Sequence, residues 1–213
     1  MSRGYEEVGR VQQKQRTRDA LVAAARELVA DGDTPTVETA AARARVSRTT
    51  AYRYFESQAA LLAAAHPEIN AASLLPADPP DDVVERVEFV VARVTEIVRD
   101  SEPQQRTMLR LSLEPGRAGN HDLLLRQGRV IGWLLDALAP LADELGAKVV
   151  ETLALAIRSA IGIEAYVWLL DVARLSPKDA TAIMRWNARA LLDAALAGSQ
   201  LPTVTRRRTS SSN

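Results

Sequence analysis

Residues 36–55 read TVETAAARARVSRTTAYRYF, and two short helices joined by a tight turn are the simplest account of them. Thr36 can cap a helix over Val37–Ala44, because its hydroxyl accepts from backbone N–H groups that the first helical turn leaves unpaired. Ser47 stands ready to cap a second helix through Tyr54 in the same way. A helix that enters the DNA major groove must be short, must begin with small or polar residues, and needs a second helix lying across the backbone to brace it. Residues 37–54 meet each condition. Arg48 can pair with a guanine edge or a phosphate, Thr49 and Thr50 can touch phosphate or a thymine methyl, and the phenols of Tyr52 and Tyr54 can donate to phosphate oxygens. Thr36, Ser47, Arg53 and Gln58 complete the candidate DNA-contacting set, Ser47 as cap and contact together. The competing readings are structural: Phe55 and Tyr52 packing a small core, and Arg53 as a solvated surface charge.

Upstream, Leu21, Ala24, Ala25 and Leu28 form the apolar stripe of a helix over Gln13–Ala30 that stops at Asp31-Gly32-Asp33. Arg3, Arg10, Lys14, Arg16 and Arg18 precede or open it and can reach a phosphate or a minor groove, although such residues are more often simply solvated. Downstream, Ser57 can cap a helix carrying Leu61 and Leu62. Pro67 and the run Leu75-Pro76-Ala77-Asp78-Pro79-Pro80 then break the pattern, since proline removes a donor and pushes its predecessor out of helical geometry. Helical spacing resumes at Val83, Val87, Val90, Val94 and Ile97. It continues in a shorter helix from near Pro103 to before Pro115-Gly116, in His121–Leu138, in Ala147–Ala173, and in Pro177–Ala197 after the cap Ser176. No segment alternates as a half-buried strand does. The expected fold is all-α: a three-helix DNA-binding domain over 13–66, a helical body over 67–198, and a disordered basic tail over 199–213.

The stretch Arg18–Ala65, RDALVAAARELVADGDTPTVETAAARARVSRTTAYRYFESQAALLAAA, resembles the TetR (tetracycline-repressor-like) family of bacterial regulators. The family's pattern is an apolar-striped helix, a glycine, Thr-Val, Ile-Ala, Ala-Gly-Val-Ser, Tyr-x-x-Phe, Ser-Lys and a Leu-Leu helix. Three positions depart from it. Arg45 stands at the turn glycine, so the turn must avoid a left-handed backbone or hold a non-glycine there at some cost. Ala40 replaces the usual isoleucine. Gln58 replaces the lysine that contacts phosphate in the family, and an uncharged amide adds less to counterion release.

A lone helix-turn-helix buries little DNA, whereas a dimer sets two reading helices about 34–36 Å apart on one face. Homodimerisation through the last two helices is therefore expected, with Ala156, Ala160 and Gly162 permitting close approach. The resemblance implies a four-helix bundle there, for which Ile157, Ile161, Trp168 and Trp186 are candidates; packing inside one subunit is the alternative for each. It also implies an effector pocket in the middle helices. Phe89, Met108, Trp133 and Tyr166, with His121, are local candidates, although such residues are more often plain core. Gly128 and Gly132, one turn apart, suggest a close helix crossing. What the resemblance implies is a repressor that binds a palindromic operator as a dimer and is released by a small-molecule effector.

Net charge is formally zero, so the overall field favours neither nucleic acid nor membrane. Its distribution is uneven: basic against acidic residues number 10 to 8 up to residue 66, 14 to 19 over 67–198, and 3 to 0 beyond. The absence of cysteine excludes disulfides and thiolate sites. With two histidines and no His-Glu-x-x-His, a metal site, a cofactor or a catalytic role is not expected, and a small all-α enzyme is the remote alternative. An architectural DNA-binding protein without an effector is the nearer one. No apolar run approaches the roughly 20 residues of a membrane span, and the amino terminus lacks a signal-peptide pattern, so a cytoplasmic location is expected. The Arg206-Arg207-Arg208 tail can add nonspecific DNA affinity or simply be solvated.

Overall fold

A computed structural model describes residues 3–113 and 128–204 of the chain. Pro115, Gly116, His121 and the Arg206–Arg208 run lie outside the described residues. Among those described there is no strand. They form two compact units: residues up to Ala71 together with those from Ser101 to 113, and Ala72–Asp100 together with those from Gly128 onward.

In the first unit, α1 (Arg3–Asp31) begins ten residues earlier than its apolar stripe suggests. Residues 11–16 are exposed, so this part lacks the buried face that makes a helix legible. From Leu21 the stripe is buried, with Leu21, Ala24, Ala25 and Leu28 all 6% exposed or less. The helices α2 (Val37–Arg43), α3 (Arg48–Tyr52) and α4 (Gln58–Ala65) close over it. Their inward residues Val37, Ala40, Ala51, Phe55 and Leu61 complete one cluster. Burial of each of Leu21, Leu28, Phe55 and Leu61 stabilises the unit by roughly 1.5–3 kcal/mol. A short 3-10 turn, Pro67–Asn70, follows α4.

The helix α6 (Glu102–Ser112) also belongs to this unit rather than to the body where the sequence reading puts it. The reason is visible along α1. Met108 and Leu111 bury against Val29, the Thr107 hydroxyl donates to the Ala30 carbonyl, and the Gln104 amide donates to the Arg26 carbonyl at 3.2 Å. Gly32 ends α1 with a left-handed backbone at φ 96, beside Thr107.

The second unit is built on α5 (Val83–Asp100), whose Val87, Val90, Val91, Val94 and Val98 are buried. The Asp82 carboxylate accepts from the Val84 and Glu85 amides at 2.6 and 3.2 Å and so opens the helix. Against it lie α7 (Arg129–Ala137), α9 (Ala147–Ile161) and α11 (Pro177–Leu196), while a short α8 (Ala142–Leu145) packs on α9 and α10 (Ile163–Asp171) packs on α9 and α11. α11 packs between α5 and α9, and its Ala180, Ala188 and Ala195 keep the approach close. Arg86 staples α5 to the end of α7 through the carbonyls of Asp136 and Ala137, at 3.0 and 3.2 Å.

Three expectations change here. The segment Ala147–Asp171 is long and apolar enough by composition to cross a bilayer, contrary to the sequence reading. It is nevertheless two helices, because Gly162 takes an extended backbone (φ −85, ψ 173) and caps α10. A Cβ at Gly162 would meet the side chains of Arg158 and Glu164 of the same subunit. Gly128 and Gly132 mark no crossing, since each faces open space, and Gly128 precedes α7 with a left-handed backbone at φ 75.

Candidate nucleic-acid interface

Three side-chain caps build one face of the first unit. The Thr36 hydroxyl accepts from the Thr39 amide at 3.1 Å while the Thr39 hydroxyl accepts from the Thr36 amide at 2.8 Å. This is a capping box with threonine in the position usually held by Glu or Gln. Ser47 Oγ accepts from the Thr50 amide at 3.1 Å and shares a hydrogen with the Thr50 hydroxyl at 2.8 Å. Ser57 Oγ accepts from the Ala60 amide at 3.2 Å.

Between the first two caps the chain turns at Arg45, with φ at 56. The Val46 amide donates to the Ala41 carbonyl at 2.9 Å and the Arg45 amide to that of Ala42 at 3.2 Å, the paired bonds of a Schellman end. The same pairing closes α1 at Gly32 and α11 at Gly198, both glycines with positive φ. The turn therefore keeps the left-handed geometry and puts a side chain where its sisters have none, at a cost of roughly 1–2 kcal/mol.

α3 turns Ala51 fully inward and leaves Arg48, Thr49, Tyr52 and Arg53 exposed. Arg48 with Tyr52, and Thr49 with Arg53, are each four residues apart and share a face. The Arg48 side chain is 73% exposed. Thr36 and Thr50 are half-buried and engaged in the caps. Tyr54 is half-buried, packed against the core that holds Phe55. Gln58 spends one amide hydrogen on the Pro35 carbonyl at 3.0 Å.

One residue that the sequence reading passed over organises this face. Glu38, in the first turn of α2, accepts at the same oxygen from the Tyr52 phenol at 2.7 Å and from the Arg48 guanidinium at 3.0 Å. That guanidinium also lies 5.7 Å from the centre of the Tyr52 ring, within cation–π range. The bond from Tyr52, then backbone hydrogen bonding, holds the Glu38 carboxyl below the usual carboxylate range, with the Arg48 charge assisting. The same bond raises the Tyr52 phenol above its usual value. Tyr52's single hydrogen is thus donated to Glu38, which a phosphate would have to displace. An acid ten residues ahead of an arginine carries no local signal of this pairing; only the fold brings them together.

The remaining sequence candidates do not converge. Tyr166 and Trp133 are core residues of the second unit at 0% and 4% exposure, Met108 is buried in the first unit, and Phe89 is exposed on α5. None lines the groove of about 310 Å³ between α5 and α11, floored by Val87, Val91, Ala188 and Leu192. Its rim guanidiniums are engaged, Arg185 with Thr95 at 2.9 Å and Arg189 with Glu88 and Asp193. Ile157 and Ile161 have no exposed surface within the subunit, whereas Trp168 and Trp186 are 56% and 70% exposed. Val172 and Ile183, one turn from each tryptophan, are exposed too. Among the described residues no group of three or more His, Asp or Glu side chains is placed to hold a metal ion.

Residues 21–65 match the family model described as bacterial regulatory proteins, tetR family. No curated protein matches the chain.

Proposed function

We infer that this chain, whose residues 21–65 match the tetR family model, is a DNA-binding regulator of that kind and a cytoplasmic repressor. It binds a palindromic operator as a homodimer and leaves it when a small molecule occupies the second unit. The observation that carries this reading is α3, braced by α2 and presenting Arg48, Thr49, Tyr52 and Arg53 outward. A short helix with such a face offers donors to base edges and phosphates alike.

Dimerisation is supported by Trp168 and Trp186, because a lone subunit gains nothing by holding two tryptophans in water. Ile157 and Ile161 leave the proposed interface, being core. The effector reading is supported by the groove between α5 and α11, at the small end of ligand-sized cavities. Only Ser101 separates α5 from α6 in the chain, and the reading requires that a shift of α5 in the occupied second unit be transmitted there. Such a shift requires the effector to bind one arrangement better than the other.

Selection of bound duplexes from a random pool tests the reading. Enrichment of one palindrome, discriminated by roughly 10³-fold or more from random DNA, supports it. Binding with no sequence preference would favour the architectural alternative, and no binding by a folded dimer would remove the DNA role.

A further inference from the structure

We propose that Glu38 is a positioning residue for DNA reading: its carboxylate holds Arg48 and Tyr52 in place and bars them from indiscriminate phosphate contact. The inference rests on the DNA-binding role above and adds to it the device that sets how the two donors are used.

The geometry carries it. One carboxylate oxygen takes both the Tyr52 phenol and one Arg48 N–H, at 2.7 and 3.0 Å. Arg48 carries five donors, so one bond to Glu38 and one ring face at 5.7 Å fix its direction while the rest of its fork stays open. A planar fork held in this way suits a guanine edge, which accepts two parallel bonds. A phosphate, by contrast, must compete with a carboxylate that already occupies the tyrosine hydrogen and neutralises the arginine charge. Glu38 therefore suppresses the part of binding that every sequence shares and leaves the part that depends on the base. The side chain is 39% exposed, so this is a contact on the reading surface and not a buried structural pair.

The test is Glu38→Gln, which keeps the size and an acceptor oxygen for Tyr52 but removes the charge. Binding to the selected operator and to a random duplex is measured against salt concentration for the full-length protein. The expected result is a random-duplex affinity that rises roughly threefold or more at low salt, a salt slope steeper by about 0.9 per arm, and a narrower operator-to-random ratio. Ultraviolet titration, with Tyr52→Phe identifying the signal, reads the pairing independently of DNA: Tyr52 should ionise at lower pH in Glu38→Gln than in the parent. Unchanged slope, ratio and titration in a folded variant overturn the proposal. If the parent protein binds neither duplex, the DNA-binding reading itself falls, and the Glu38 proposal with it.

Discussion

The side-chain amide of Gln58 donates to the carbonyl of Pro35 at 3.0 Å, tying the first turn of α4 to the residue before the cap of α2. Lysine, the usual residue here in the family that residues 18–65 resemble, would exchange this internal bond for a free charge. Gln58→Lys should cost about 0.5–1.5 kcal/mol in denaturant unfolding, the ordinary worth of one hydrogen bond. It should also steepen the salt dependence of DNA binding by about 0.9 per arm. Equal slopes for the two proteins would show that this position lies off the phosphate backbone.

Arg45 and Gly198 occupy equivalent places in two Schellman ends, at φ 56 and 79. The backbone preference of each can therefore be measured against the other. Arg45→Gly should stabilise the chain by about 1 kcal/mol, and Gly198→Ala, whose Cβ meets nothing within 4 Å, should destabilise it by a similar amount. Chemical denaturation midpoints at constant slope read both. Destabilisation by Arg45→Gly would mean that its side chain holds the turn by a contact worth more than the strain.

Acid should weaken the first unit through Glu68. Burial pushes its carboxyl up, but hydrogen bonds from His66, 3.4 Å away, and from the backbone outweigh this with help from Arg26, and the net shift is downward. A carboxyl depressed in the folded state adds stability that is present above its usual 4.5 and is lost as pH falls through the folded value. Glu68→Gln should flatten that acid limb in melting temperature against pH. An unaltered limb would place the acid sensitivity elsewhere.

Trp186 and Ile157 separate association from folding. Trp186→Glu should weaken dimerisation by about 2 kcal/mol or more, some thirtyfold in dissociation constant, with the helical content intact. Ile157→Ala, at a site with no exposure, should cost about 2–5 kcal/mol of folding stability at any protein concentration. Sedimentation equilibrium and thermal unfolding together distinguish the two. A Trp186→Glu protein that stays dimeric would move the interface off this face of α11.

The parts of the structure legible in the sequence are those set by local chemistry. Ser47, Ser57 and Ser176 cap helices where their residue type and the following turn say they should. Leu21 to Leu28 bury as their spacing demands. The break at Gly162 was not legible, because a glycine within helical spacing is tolerated as often as it breaks a helix. Nor did periodicity separate Ile157 from Trp168. Both belong to helices apolar on more than one side, and only packing decides which side is covered. The Glu38–Arg48–Tyr52 contact and the docking of α6 on α1 are tertiary, and no spacing rule reaches across a turn or across 77 residues to find them.

Whether α3 reads bases through Arg48 is decided by repeating DNA selection with Arg48→Ala. The expected palindrome keeps its spacing but loses preference at one symmetry-related pair of positions, with about 1–3 kcal/mol of discrimination lost there. A consensus unchanged at every position, with affinity lowered equally for all sequences, would contradict it and make Arg48 a phosphate contact.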